Sequence, residues 1–317
     1  MYTLLKIPAQ IALNFYCRKI TINQPQLLHH KGPLLIAANH PNSFLDAVII
    51  ASLFKKPVYS LARGDVFTNR IVTWILGLLN MLPVYRVSEG AENLEHNYTT
   101  FTECQDLFKK NGIVLIFSEG RCINEWHLRP LKKGTARLAI SAWQNEIPLQ
   151  ILPLGINYSS FRFFGKNVIL NFGTVISRED VSPEAGDGKN ILAFNSLLED
   201  RLRKLVIEID PRDKEKIKRT FESDQPLLKK IILFLPSVTG LFLHFPLYYP
   251  VIKLLQRRAN DHYDSLVVGL LFFIYPFYIV LITWIAFTIT MNPMSFIIAG
   301  LLPFTAWSHL QLKRQIK

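Results

Sequence analysis

The sequence predicts a layered α/β domain with a mostly parallel sheet, followed by a C-terminal helical membrane region. Three observations carry that expectation. Short apolar runs alternate with helix-patterned segments through residues 26–222, the pattern produced when helices cover a parallel sheet. From Ser265 to Ser308 there is no Asp, Glu, Lys or Arg, which accommodates two spans of about 20 residues each. Half of the 317 residues are hydrophobic, yet the formal net charge is +12. Apolar and basic together suit an anionic membrane surface, anionic substrates, or both. No basic arm, zinc-finger spacing or aromatic ribonucleoprotein motif supports nucleic acid as the partner.

Residues 1–25 contain "MYTLLKIPAQIALNFYCRKITI", apolar on one face with Lys6, Arg18 and Lys19 near its ends. It lacks the pattern of a cleaved signal and is expected as a helix lying in the membrane interface, or packed against the domain. Buried strands are expected at 32–39, 57–63, 112–118, 149–158 and 167–176, all short apolar runs. Helices are expected over Phe44–Phe54, Ala91–Lys110 (ended by Asn111-Gly112), Lys133–Trp143 and Asn190–Glu208. "IVTWILGLLNML", 71–82, is apolar on all sides, as in a core helix, a pocket wall or a membrane contact. Residues 177–190 read as a surface loop.

Residues 223–317 form the expected membrane region. Within 229–258, Pro236, Pro246 and Pro250 would interrupt a straight helix, and both ends are basic, so a re-entrant or interfacial segment is expected. Residues 265–289 and 293–309 are expected as a transmembrane hairpin that turns at "TMNP". Arg257 and Arg258 before it and Lys313, Arg314 and Lys317 after it place both its ends on the cytoplasmic side. The cysteines, Cys17, Cys104 and Cys122, are odd in number and show no CxxC spacing, which fits a reducing compartment.

The chemistry is expected at the carboxyl ends of the strands, where open α/β sheets gather ligands. His40 leaves one such strand in "LLIAANHPNSFLD", and Glu119-Gly120-Arg121 leaves another in "VLIFSEGR". Ser43 to Asp46 matches a capping box, so Asp46 could close a helix start and His40 could be a turn residue. Both roles can coexist: a carboxylate folded back on His40 would fix the ring tautomer and support the imidazolium. There is no G-x-S-x-G elbow, no H-E-x-x-H and no Cys/His cluster, so no metal site is expected. A base without a protein nucleophile implies that the substrate supplies one, as when a hydroxyl attacks an activated acyl group.

Four ordered blocks resemble the glycerolipid acyltransferase family, over roughly residues 30–210. The first is "NHPNSFLD", with five residues between His40 and Asp46 where the family more often has four. The second is "LPVYR", where Arg86 matches an arginine that holds the acceptor's phosphate. The third is "FSEGR", in which Glu119 and Gly120 match, Ser118 replaces proline and Arg121 comes one position early; "LKKGTARLAI" follows it. The fourth is "ILPLGI", with Pro153. The resemblance implies an acyltransferase domain with His40 and Asp46 as catalytic pair. Arg86, Glu119, Gly120 and Arg121 would bind substrate. It further implies an acyl thioester of coenzyme A or acyl carrier protein as donor, glycerol 3-phosphate or its 1-acyl derivative as acceptor, and no cofactor.

Plainer readings stand beside these. Arg86 could pair with Glu89 or Glu92, Glu119 could cap its turn, and Lys132, Lys133 and Arg137 could form a solvated face or meet anionic groups. Cys122 reads as a bystander. Backbone N–H groups at the helix start after His40 are expected to hold an oxyanion. The same chemistry on a lyso-aminolipid, a non-catalytic lipid binder and a lipid hydrolase are the rival functions.

Overall fold

The computed structural model describes residues 2–85, 96–181, 186–223, 225–255 and 260–313. Its centre is a sheet of β1 (Cys17–Ile22), β2 (Leu34–Ala38), β3 (Val58–Arg63), β4 (Met81–Val84), β5 (Ile113–Phe117), β6 (Gln150–Tyr158) and β7 (Lys166–Phe172). The strand order is β1-β7-β6-β2-β5-β3-β4, parallel throughout except for the antiparallel β6–β7 pair. Every residue of β2 is fully buried, as expected for a central strand covered on both faces, and this is why its sequence shows no alternation.

Helices cover the two faces. On one side α1 (Tyr2–Tyr16) and α2 (Ser43–Leu53) pack on β2, β6 and β7. On the other lie α4 (His96–Lys109), α5 (Gly134–Gln144) and α6 (Asp187–Arg203). The short α3 (Arg70–Leu78) follows β3, and α7 (Lys214–Phe221) follows α6. Burying one large aliphatic side chain contributes about 1.5–3 kcal/mol, so these two layers account for most of what drives folding.

Three segments depart from the sequence expectation. The N-terminal helix ends at Tyr16, and residues 17–22 form β1, paired in parallel with β7. "CRKITI" alternates and ends in β-branched residues, so the strand preference wins once an edge is available. α1 is docked on the domain through Lys6 and Gln10, which donate to the Phe54 and Ser52 carbonyls, while Leu4, Ile7 and Ile11 stay exposed. In the run 71–82 the helix stops at Leu78, and Met81–Val84 becomes edge strand β4. None of α3 is buried: Ile71 and Trp74 face outward, so it is not a core helix. Third, Pro236, Pro246 and Pro250 lie inside one continuous helix, α8 (Leu227–Leu255). Each proline removes a single backbone bond, and the turns on either side continue past it.

α9 (Tyr263–Thr290) leaves the domain, and Met291, with φ of 49°, turns the chain toward α10 (Ile298–Leu312). α8 and α10 pack closely at Gly240, where a Cβ would collide with the Thr305 carbonyl oxygen. α8 and α9 are long and apolar enough to cross a membrane, and most of their surface is exposed. The end of α10 returns to the domain, where the Arg18 guanidinium donates to the Leu310 and Lys313 carbonyls.

Candidate active site

β2 and β5 are neighbours in register, Ala38 opposite Phe117, so the residues leaving them emerge side by side. His40 and Glu119 therefore meet: the His40 backbone N–H donates to Glu119 Oε2 at 2.8 Å. Asn39 anchors the turn to β6, donating to the Ile156 carbonyl and accepting the Ile156 N–H at 2.7 Å. The loop after Glu119 closes over the turn, with Ile123 N–H on the His40 carbonyl and Asn124 Nδ2 on the Pro41 carbonyl.

The His40 ring stacks on Phe117, centroids 3.7 Å apart and planes 10° off parallel. Its Nδ1 lies 2.9 Å from Asp46 Oδ2. Asp46 is fully buried and accepts two more hydrogen bonds, from the Asn42 backbone N–H at 2.8 Å and from the Tyr158 hydroxyl at 2.7 Å. With Nδ1–H directed at a carboxylate, the lone pair sits on Nε2, the arrangement a general base requires. Burial pushes the Tyr158 pKa well up, and the Asp46 charge adds to this, so Tyr158 keeps its proton and donates it in a hydrogen bond to Asp46.

The expected capping box does not form, because the N-cap of α2 is Asn42, one residue before Ser43, and its side chain makes no cap hydrogen bond. Asp46 closes that start by taking the Asn42 N–H while also holding His40. Ser43 adopts φ of 52° instead of capping, because the turn must bring the carboxylate under the ring.

Glu119 is buried, and its second oxygen accepts the Arg129 N–H at 2.9 Å. Burial raises its pKa, opposed by these two N–H bonds. Over the interval between the ordinary carboxylate value and the raised one, the folded chain holds more proton than the unfolded chain, so this group's contribution falls as pH rises. Glu119→Gln would set an amide NH₂ against one of two N–H donors, at a cost of about 1–3 kcal/mol. A lower Tm in detergent, with less dependence on pH across the acid range, is expected; an unchanged Tm would contradict this role. Gly120 turns the loop with φ of 67°, and a Cβ there would lie 2.9 Å from Lys132 Cγ.

A cavity of about 1940 Å³ opens in front of His40, with Phe117, Gly120, Arg121 and Cys122 in its wall. Lys132, Lys133 and Arg137 are exposed and line it as well. Arg86 lies outside the described residues; Tyr85, its neighbour, lines the cavity. Cys122 helps to hold the turn: its sulfur accepts the Ser43 N–H at 2.9 Å, and burial pushes the thiol pKa up, which keeps it protonated. The backbone donors expected to hold an oxyanion at the start of α2 are largely taken, with the Asn42, Ser43 and Leu45 N–H groups on Asp46, Cys122 and Ser265. Among the described residues no group of three His, Cys, Asp or Glu is placed to hold a metal ion.

Tyr158, Asn42 and the residues at the start of α9 were not expected at the site. Tyr158 stands at the end of a predicted strand, which was its only signal; Asn42, a common turn residue by type, carried none.

Comparison with known proteins gives a consistent result. The Acyltransferase family model matches residues 19–157. A chloroplastic 1-acyl-sn-glycerol-3-phosphate acyltransferase of Brassica napus is 24% identical over 143 residues, 45% of this chain and 38% of that protein. A 1-acyl-sn-glycerol-3-phosphate acyltransferase of Chlamydomonas reinhardtii is 28% identical over 125 residues, 39% of this chain and 35% of that protein. The alignments thus span little more than a third of either relative. The crystal structure of the 1-acyl-sn-glycerophosphate acyltransferase PlsC from Thermotoga maritima superposes with a TM-score of 0.47 at 14% identity, over 67% of this chain and 81% of that one. The matched residues 19–157, a little under half of the chain, take in His40, Asp46, Glu119, Gly120 and Arg121, and over this segment the chain is similar to the Acyltransferase family.

Proposed function

We propose that this protein is a membrane-bound O-acyltransferase that moves a fatty acyl group from an acyl thioester to a hydroxyl of glycerol 3-phosphate or 1-acylglycerol 3-phosphate. The observation that carries the reading is His40: its Nδ1 is held on a fully buried carboxylate while the ring borders a cavity large enough for two substrates. Nε2 takes the acceptor hydroxyl's proton as the oxygen attacks the thioester carbonyl, and Asp46 stabilises the imidazolium. The C–S bond then breaks, and the same proton passes from Nε2 to the departing thiolate, so His40 ends as it began. The donor's coenzyme A or acyl carrier protein and the acceptor's phosphate both bring negative charge. Arg121, Lys132, Lys133 and Arg137 in the cavity wall supply the opposite sign, and Arg86 is assigned to the acceptor's phosphate through the family resemblance. A charge-assisted hydrogen bond of this kind contributes about 1.5–3 kcal/mol.

The membrane enters this reading through the apolar helices. α9 leaves the domain and α10 returns to it, which supports a hairpin with both ends on the cytoplasmic, active side. α8 is read as having both its ends on that same side. Phe221 is buried just before it, Val251 and Leu255 at its far end are in the core, and the chain between Phe221 and Leu227 reaches about 20 Å at most. That is short of the ~30 Å hydrocarbon layer. The exposed Leu4, Ile7 and Ile11 of α1 and Ile71 and Trp74 of α3 would lie at the same surface.

The test is product analysis by mass spectrometry. Purified protein in detergent receives an acyl thioester with glycerol 3-phosphate, lysophosphatidate or a lyso-aminolipid. An acylated phosphate-bearing product that disappears in His40→Ala is expected. Arg86→Ala should raise KM for that acceptor about tenfold or more, the equivalent of one lost charged contact. Transfer only to the lyso-aminolipid would move the acceptor class; no transfer to any acceptor by folded protein would overturn the reading.

A further inference from the structure

The segment Asp261–Ser265, which enters α9 and forms its first turn, touches both motif segments. Asp261 Oδ1 accepts the Asn124 N–H at 3.2 Å, His262 Nδ1 lies 2.5 Å from Ser43 Oγ, and Ser265 Oγ accepts the Leu45 N–H at 3.1 Å. Between them Asp264 is fully buried. Its carboxylate accepts the Tyr16 hydroxyl at 2.5 Å on one oxygen, and Asn42 Nδ2 at 2.7 Å with the Lys166 ammonium on the other. Lys166 is fully buried too.

A buried ion pair carries a large desolvation cost, and hydrophobic residues of the same volume would often serve stability as well. Stability alone therefore gives little reason for this one; its connections give a better one. Asp46 has three donors: His40, the Asn42 backbone N–H and the Tyr158 hydroxyl. Asp264 holds the Asn42 side chain directly, and the ammonium it anchors lies 5.6 Å from the centre of the Tyr158 ring. One of the three donors that aim the Asp46 carboxylate, Asn42, is thus held through its side chain by a carboxylate on α9, far outside the matched residues 19–157, and a second, Tyr158, lies beside the ammonium that this carboxylate anchors.

We infer that Asp264 is a positioning residue for the catalytic pair: through Asn42 it fixes Asp46, and so His40, and makes turnover depend on the docked start of α9. This rests on the proposed reaction. It assigns the C-terminal region a part in catalysis beyond anchoring.

The experiment is steady-state kinetics on full-length wild type, Asp264→Asn, Asn42→Ala and the double variant, each checked by Tm and gel filtration in detergent. kcat is expected to fall at least tenfold in each single variant, with KM for donor and acceptor within about threefold. Because both act along one path, the double variant should lose no more than the worse single one. Asp264→Asn leaves Lys166 without its charge partner, so Asp264→Asn/Lys166→Met, which removes both buried charges, replaces it where the single variant does not fold. Asn42→Ala decides alone should neither fold. Normal kcat in folded Asn42→Ala or Asp264→Asn, a loss confined to KM, or single losses that multiply would each overturn the proposal. A wild type inactive with every acceptor is a different failure: it removes the proposed reaction and not the joint.

Discussion

Replacing His40 by alanine is expected to lower kcat by about 10²–10⁴-fold, the usual contribution of a positioned general base. KM should change little, because Nε2 acts on the proton in flight and not on the resting substrate. The protein should remain folded. Asp46 keeps two of its donors, the Asn42 N–H and the Tyr158 hydroxyl, so the buried charge is not abandoned. Losing one charged hydrogen bond costs about 1.5–3 kcal/mol, a fall in Tm of several degrees for a domain of this size. Turnover, KM and Tm measured on one preparation separate the base from the scaffold. Wild-type turnover by folded His40→Ala would sink the mechanism, and so would a loss that appears only with the melting transition.

The contact between His40 and Asp46 was legible because both residues sit in one local turn. A histidine ending an apolar strand and a carboxylate in the first turn of the next helix must fall close together, whatever the rest of the chain does. Glu119 was legible for the same topological reason, since it leaves a strand beside that of His40. The tertiary partners were not. Tyr158 and Asp264 reach the motif from β6 and α9, and Lys166 reaches Asp264 from β7, and a tyrosine, a lysine and an aspartate spaced along a sequence carry no periodic signal. β1 and β4 show the same limit in the fold. Each is a short edge strand beside a helix of similar hydropathy, and only the partner strand decides between the two conformations. The prolines of α8 misled in the other direction, because a local rule about helix breaking says nothing of the packing that carries a helix past them.

The second large effect is expected at Asp46. In Asp46→Asn the new amide would match the carboxylate in shape, and it has two ways to sit. With the carbonyl oxygen toward His40 and Asn42, both N–H donors stay satisfied and the NH₂ group faces the Tyr158 hydroxyl, which can rotate to accept. The ring then keeps its tautomer but loses the charge that stabilises the imidazolium. With the NH₂ toward His40, Nδ1 must become the acceptor, the proton moves to Nε2, and the base is absent from the face that meets substrate. Either orientation lowers kcat, and the second loses as much as His40→Ala does. Asp46→Asn should therefore fall between about tenfold and the full His40→Ala loss of about 10²–10⁴-fold. Its stability should stay near wild type, since a desolvated charge is removed while most hydrogen bonds are kept. The double variant His40→Ala/Asp46→Asn is the decisive comparison. If Asp46 acts only through His40, removing it from a chain without the imidazole changes nothing further, and the double variant matches His40→Ala alone. Losses that multiply would mean that Asp46 has a second catalytic task independent of the ring, and an Asp46→Asn enzyme with wild-type kcat would mean that the buried carboxylate is there for the helix start alone.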